Sequence, residues 1–147
     1  MRAVNGVAAG IAICVSLLAS ASHAQQAQEA RLYGRLGGKP AITAVVDDFV
    51  GNVAADSRIN GFFARTDIPR LKQLLVEQIC AGSGGPCTYT GRDMRSAHAG
   101  MGVSEADLTA LVEDLVKTLD KFKVPQREKQ ELLSVLGPMK TDIVSMR

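Results

Sequence analysis

Apolar residues recur at intervals of three and four along most of this chain, and the runs they form are cut off by glycine, proline or both. Ile42, Val45, Val46, Phe49, Val50 and Val53 fall on one helical stripe, and Leu71, Leu74, Leu75 and Gln78 on a second, with Ile79 beside them. Leu108, Leu111, Leu115, Leu119 and Phe122 make a third stripe, flanked by Val112 and Val116, and Leu132, Leu133 and Leu136 make a fourth. This spacing keeps one face of an α-helix apolar, whereas a half-buried strand would need strict alternation. Helices with one greasy face must bury it against each other, so the pattern predicts a small all-α domain packed face to face.

The breaks between stripes are equally informative. Gly37-Gly38 ahead of Pro40 lets two helices meet at a sharp angle, with the proline in the first turn of the second, where a missing N–H costs nothing. Asp56–Phe63 reads as a polar bend ending in the pair Phe62-Phe63, and Thr66-Asp67-Ile68-Pro69 starts the next helix. Ala81-Gly-Ser-Gly-Gly-Pro86 stops it. A short helical stretch around Arg92–Ala99 carries Met94 and His98 four apart and ends at Gly100 and Gly102. Ser104-Glu-Ala-Asp107 has the form of a capping box. Pro125 opens the last helix, which Gly137-Pro138 is expected to break or kink before Met139–Val144. The chain shows no internal repeat and no interdomain linker.

The length of 147 residues suits one domain, and 17 basic against 15 acidic side chains support neither a nucleic-acid surface nor disorder. The amino end reads as a secretory signal peptide over residues 1–24: Arg2, an uncharged apolar run from Val7 to Leu18, then small residues up to Ala24. A polar leader over 25–31 and a domain over 32–147 would follow. The apolar run is short for a bilayer span, which disfavours the alternative of an uncleaved anchor, and bulky Ile13 before Cys14 disfavours a lipoprotein. The expectation is therefore an exported, periplasmic protein without a membrane span in its mature form. Cleavage after Ala24 would leave 123 residues and a single histidine, His98.

One histidine on a short glycine-bounded turn, a distant aliphatic helix face and a phenylalanine pair together suit haem. A flat apolar macrocycle needs two greasy walls, an aromatic wedge and one neutral imidazole nitrogen, while the other ring nitrogen donates to a carbonyl. The plainer alternative is a half-buried polar histidine. Cys80 and Cys87 bracket Gly82–Pro86 and are expected to form a disulfide in an oxidising compartment, the alternative being two buried thiols. Zinc held by Cys80, Cys87 and His98 would lack a fourth ligand, and covalent c-type haem would need a Cys-x-x-Cys-His motif that is absent.

Leu32-Tyr-Gly-Arg-Leu-Gly-Gly38, Val46-Asp-Asp-Phe49, Phe62-Phe63, Gly84-Gly85, Tyr89-Thr-Gly91 and Met94-Arg-Ser-Ala-His98-Ala-Gly100 occur in this order. In these motifs the chain resembles a truncated haemoglobin of the first group from Leu32 to about Val144. The resemblance implies a two-over-two helical sandwich around haem b. It implies His98 as proximal iron ligand and Phe63 packed on the macrocycle. It also implies pocket walls from Phe49, Leu71, Leu74, Leu75, Met94, Met101, Val103, Leu108 and Leu111, and Tyr89 near the propionates. For the aliphatics ordinary core packing is the alternative, and for Arg70, Lys72 and Arg92 as propionate partners the alternative is solvated surface charge.

The departures from the family pattern are distal. Val50 stands where the family usually has a tyrosine, and Leu71 and Leu75 stand where a glutamine often helps bind oxygen. Gln78 is the remaining amide on that stripe, facing inward as a substitute donor or lying too far along the helix. The implied function is reversible binding of oxygen, nitric oxide or carbon monoxide, with an electron donor that reduces the haem. The alternatives are a nitric oxide dioxygenase or weak peroxidase, and a globin fold that has lost its haem.

Overall fold

The computed structural model describes residues 26–27 and 30–145, so the expected signal peptide and its cleavage point lie outside the described residues. Within them the chain is helical, with no strand. Helix α1 spans Leu32–Arg35, α2 Gly38–Ala55, α3 Ile68–Gly82, α4 Met94–His98, α5 Glu105–Lys121, α6 Gln126–Leu136 and α7 Lys140–Ile143. Short 3₁₀ turns cover Asn60–Phe63 and Gly137–Met139. None of these helices is long and apolar enough to cross a membrane.

The corner between α1 and α2 depends on the glycine pair. Gly37 and Gly38 both have positive φ, +92° and +71°, and a Cβ on Gly37 would sit 2.8 Å from that of Ala41. Helix α2 then packs on α3 and across α5, while α1 rests on α6 and α4 on α7. The buried stripe of α2 (Ile42, Val45, Val46, Phe49, Val50, Val53) meets Val76, Ile79 and Cys80 of α3, Ala110, Leu115 and Leu119 of α5, and Leu132 of α6. This is the expected two-over-two sandwich. Between α2 and α5 the contact is polar as well: the Asn52 amide donates to Thr118 Oγ1 at 2.8 Å and to Asp48 Oδ2 at 3.2 Å, and Lys121 caps Asp48. The Lys121 ammonium, with Thr118 and Asn52, holds the Asp48 carboxyl below its ordinary range.

One expectation from periodicity needs correcting. Phe122 is not part of the buried stripe: α5 ends at Lys121, Phe122 forms its C-cap, and 41% of the residue is exposed. Val112, beside that stripe, is 38% exposed and faces outward. Gly137-Pro138 kinks the chain rather than ending its helical course. Pro138 occupies the start of a 3₁₀ turn, where its absent N–H is not needed, and α7 follows directly.

Candidate functional site

The half-buried apolar residues outline the site. On α3, Val76, Ile79 and Cys80 turn into the core, and Leu71, Leu74, Leu75 and Gln78 are left half-buried on the adjacent stripe. Asp67 fixes the start of this helix, its carboxylate accepting from Arg70 N at 3.0 Å, and Pro69 fills the first turn. Facing the stripe is α4, as the contact between Gln78 Nε2 and Met94 Sδ at 3.6 Å demonstrates. Phe62, Phe63, Leu75 and Leu111 pack against the core, whereas Leu71, Leu74, Met94, Met101 and Leu108 are half-buried without belonging to that packed set. Val103 is buried. Leu71, Leu74 and Met94 are thus large apolar side chains left partly uncovered on two facing elements, as a flat apolar group requires, whereas Leu108 lies with Thr109, Val112 and Val116 along a separate groove of α5.

Helix α4 is only five residues long. Asp93 caps it by accepting from Ser96 N at 2.9 Å, and hydrogen bonding from the Ser96 side chain, then from its backbone, holds the Asp93 carboxyl below its ordinary range. Arg95 pairs with Asp142 of α7 at 2.8 Å. His98 closes the helix with Nδ1 2.8 Å from the Met94 carbonyl oxygen. A carbonyl can only accept, so Nδ1 carries a proton, and in the neutral ring the Nε2 lone pair is left available. Among the described residues no hydrogen bond involves Nε2. That donor set suits haem iron, whose proximal imidazole binds through one neutral nitrogen while the other is held by a carbonyl. Behind His98, Ser104 and Asp107 form the expected capping box at the start of α5, and Ser145 N donates to Val103 O at 3.0 Å, bringing the carboxyl-terminal end of the described chain against the loop.

The positions expected to line the distal side carry apolar side chains. Phe49 and Val50 are buried in the core cluster, and Leu71 and Leu75 are aliphatic. Gln78, the remaining amide, directs its Nε2 to Met139 Sδ at 2.9 Å as well as to Met94. Met139 had no signal in the helical spacing, because its stripe runs through Pro138.

At the rim, the Tyr89 hydroxyl donates to Arg92 O at 2.8 Å, and its ring fills the space a Cβ on Gly91 would need. Burial pushes this phenol above its ordinary range. Thr90 ties the same loop to α3, donating through N and Oγ1 to Glu77 Oε2 at 3.0 and 2.7 Å. Of the three candidate cations, Lys72 pairs with Asp47 at 3.0 Å, Arg70 reaches Thr90 Oγ1 at 3.3 Å, and Arg92 reaches Ser96 O at 3.4 Å.

Cys80 and Cys87 are joined by a disulfide with their Cα atoms 5.7 Å apart, closing the loop between α3 and the segment leading to α4. Tyr33 of α1 seals this loop, donating through N to Ser83 O at 2.9 Å. A Cβ on Gly85 would lie 2.4 Å from the Tyr33 ring and 2.7 Å from Cys80 Sγ, so only glycine fits there.

The bacterial-like globin family model matches residues 31–145. A group 1 truncated haemoglobin of Mycolicibacterium paratuberculosis is 34% identical over 121 residues, covering 82% of this chain and 89% of the relative. One from Tetrahymena pyriformis is 31% identical over 113 residues, covering 77% and 93% respectively. The crystal structure of a T. pyriformis truncated haemoglobin in its Fe(III) form superposes with a TM-score of 0.76 at 30% identity, covering 78% of this chain and 98% of that one. A 2/2 haemoglobin from a Synechococcus species, solved in the cyanomet state with covalently attached haem, gives 0.74 at 34% identity with the same coverage.

Proposed function

Because the chain belongs to the group 1 truncated haemoglobins, a family of haem-binding globins that take small gas ligands, we propose that it holds haem b through His98 Nε2 and binds diatomic gases reversibly on the opposite face. The observation that carries this reading is the His98 Nδ1 contact with the Met94 carbonyl, which leaves Nε2 as a preset lone pair. Haem supplies an iron that accepts one imidazole and one external ligand.

The chain's own residues decide how that ligand is held. Val50, Leu71 and Leu75 exclude water and offer no hydrogen-bond donor. A donor to partly negative dioxygen is worth about 1–3 kcal/mol, so a pocket without one releases oxygen faster by about one to two orders of magnitude than a donor-rich pocket. The same lack of an acid or base disfavours peroxidase chemistry, which needs a proton carrier beside the ligand.

The setting we infer is periplasmic, after cleavage near Ala24, with a separate electron donor keeping the iron ferrous. The Cys80–Cys87 bond supports an oxidising compartment. Absorption spectra of the ferric, ferrous, carbonyl and oxygenated protein test the haem reading. A Soret band is expected in the parent and lost or strongly weakened in His98→Ala. An unchanged band in that variant would reject His98 as the ligand, and a bis-nitrogen low-spin ferric spectrum of the parent would reject the open apolar site. Rapid nitric oxide turnover in the presence of a reductase would favour the dioxygenase instead.

A further inference from the structure

We propose that Gln78 is a positioning residue for His98, acting through Met94 and Met139, an inference that rests on the haem reading above. Gln78 is the last member of the α3 stripe, two turns beyond Leu71 and so about 10 Å further along the axis. Its Nε2 carries two hydrogens, and two thioethers receive it: Met139 Sδ at 2.9 Å and Met94 Sδ at 3.6 Å.

Met94 is also the residue whose carbonyl accepts from His98 Nδ1, so the contact that anchors the Met94 side chain and the one that orients the imidazole fall on the same residue. With five residues, α4 cannot fix its own place. It is held from α7 by Arg95–Asp142 and from α3 by Gln78, and Met139, in the turn that leads into α7, joins the same amide. Three elements therefore meet at one side chain on the Met94 side of His98. Removing the amide frees Met94, loosens the Nδ1–H···O bond and makes Nε2 a weaker donor to iron, because the outer hydrogen bond of a ligating histidine raises its basicity.

The test uses haem-reconstituted ferrous protein without external ligand, read by the iron–imidazole stretching band in resonance Raman spectra and by haem transfer to excess apomyoglobin. Gln78→Leu should lower and broaden the band and speed haem loss by about tenfold. Met139→Leu should shift both readouts in the same direction by less, and Gln78→Leu should add less on that background than alone, since the two act through one contact. Parental band and rate in both single variants would overturn the proposal, as would strictly additive effects, which would mean packing only. A parent without an iron–imidazole band would overturn the haem reading and this inference together. A parent band that vanishes in His98→Gly yet ignores Gln78→Leu would overturn this inference alone.

Discussion

Opening the Cys80–Cys87 bond should cost the fold about 2.4 kcal/mol. The closure spans seven residues, and in the chain-entropy treatment a loop of that length removes about 8 cal/mol/K from the unfolded chain. The native loop is held independently of the bond: Gly85 N donates to Cys80 O at 2.8 Å, Ser83 Oγ to Ile79 O at 2.6 Å, and Tyr33 N to Ser83 O at 2.9 Å. Reduction therefore leaves the folded shape in place, and the loss arises almost entirely in the unfolded state. A domain of about 115 residues unfolds with an entropy near 0.24 kcal/mol/K, so the midpoint should fall by about 10 °C. The assay is a pair of thermal melts at equal, saturating haem, with and without reductant, alongside a variant with both Cys80→Ala and Cys87→Ala that should ignore the reductant. A difference below about 3 °C would refute the entropic reasoning. Two free thiols in the denatured, unreduced protein would remove its premise.

Introducing a donor on the distal side should slow oxygen release. Leu71→Gln, at a half-buried position, is expected to lower the oxygen dissociation rate by about tenfold in stopped flow, and an unchanged rate would mean that position 71 does not face the ligand. Asp114 gives a stability prediction with a defined sign. It is 7% exposed, its Oδ2 has no hydrogen-bond partner, and burial, followed by the neighbouring Asp56 carboxylate, raises its carboxyl above the ordinary range. A carboxyl whose folded value is raised helps the fold at low pH and loses that contribution as pH rises through the folded value. Asp114→Asn should thus stabilise the protein by about 1 kcal/mol in urea melts at pH 7, with the gain shrinking as pH falls through the raised folded value and gone below about pH 4, where the parent carboxyl is protonated in both states. A less stable variant at pH 7 would contradict this.

Local spacing carried much of this architecture. The interval between Met94 and His98 already placed a carbonyl one turn back from the imidazole, Ser104 and Asp107 announced the start of α5, and the short separation of Cys80 and Cys87 permitted their bond. What escaped the sequence depended on distant partners. Gln78 sits on an apolar stripe that could face either way, and its direction is decided by Met139, 61 residues later, beyond a proline that obscures the helical period. Asp114 lies between Leu111 and Leu115, and nothing in its local spacing marks it as buried. It is buried because the end of α2 brings Asp56 and Arg58 against it. Phe122 matched the period of its helix but fell one residue past its end, where the cap turns the side chain outward.

The brevity of α4 has a kinetic consequence. An isolated helix needs about 12–15 residues to be marginally stable, so a five-residue helix persists only through its attachments. Besides its packing on α7, its polar attachments among the described residues are few: the Asp93 cap, the Arg92 contact with Ser96 O, one exposed ion pair to α7, and one amide between two sulfurs. The segment bearing His98 can therefore open at a free-energy cost far below that of unfolding the four-helix core. Amide protons of α4 should then exchange with solvent well ahead of those on α2 and α5. Exchange of the prosthetic group becomes a local excursion of one turn of chain, whose amplitude is limited upstream by the Cys80–Cys87 tether.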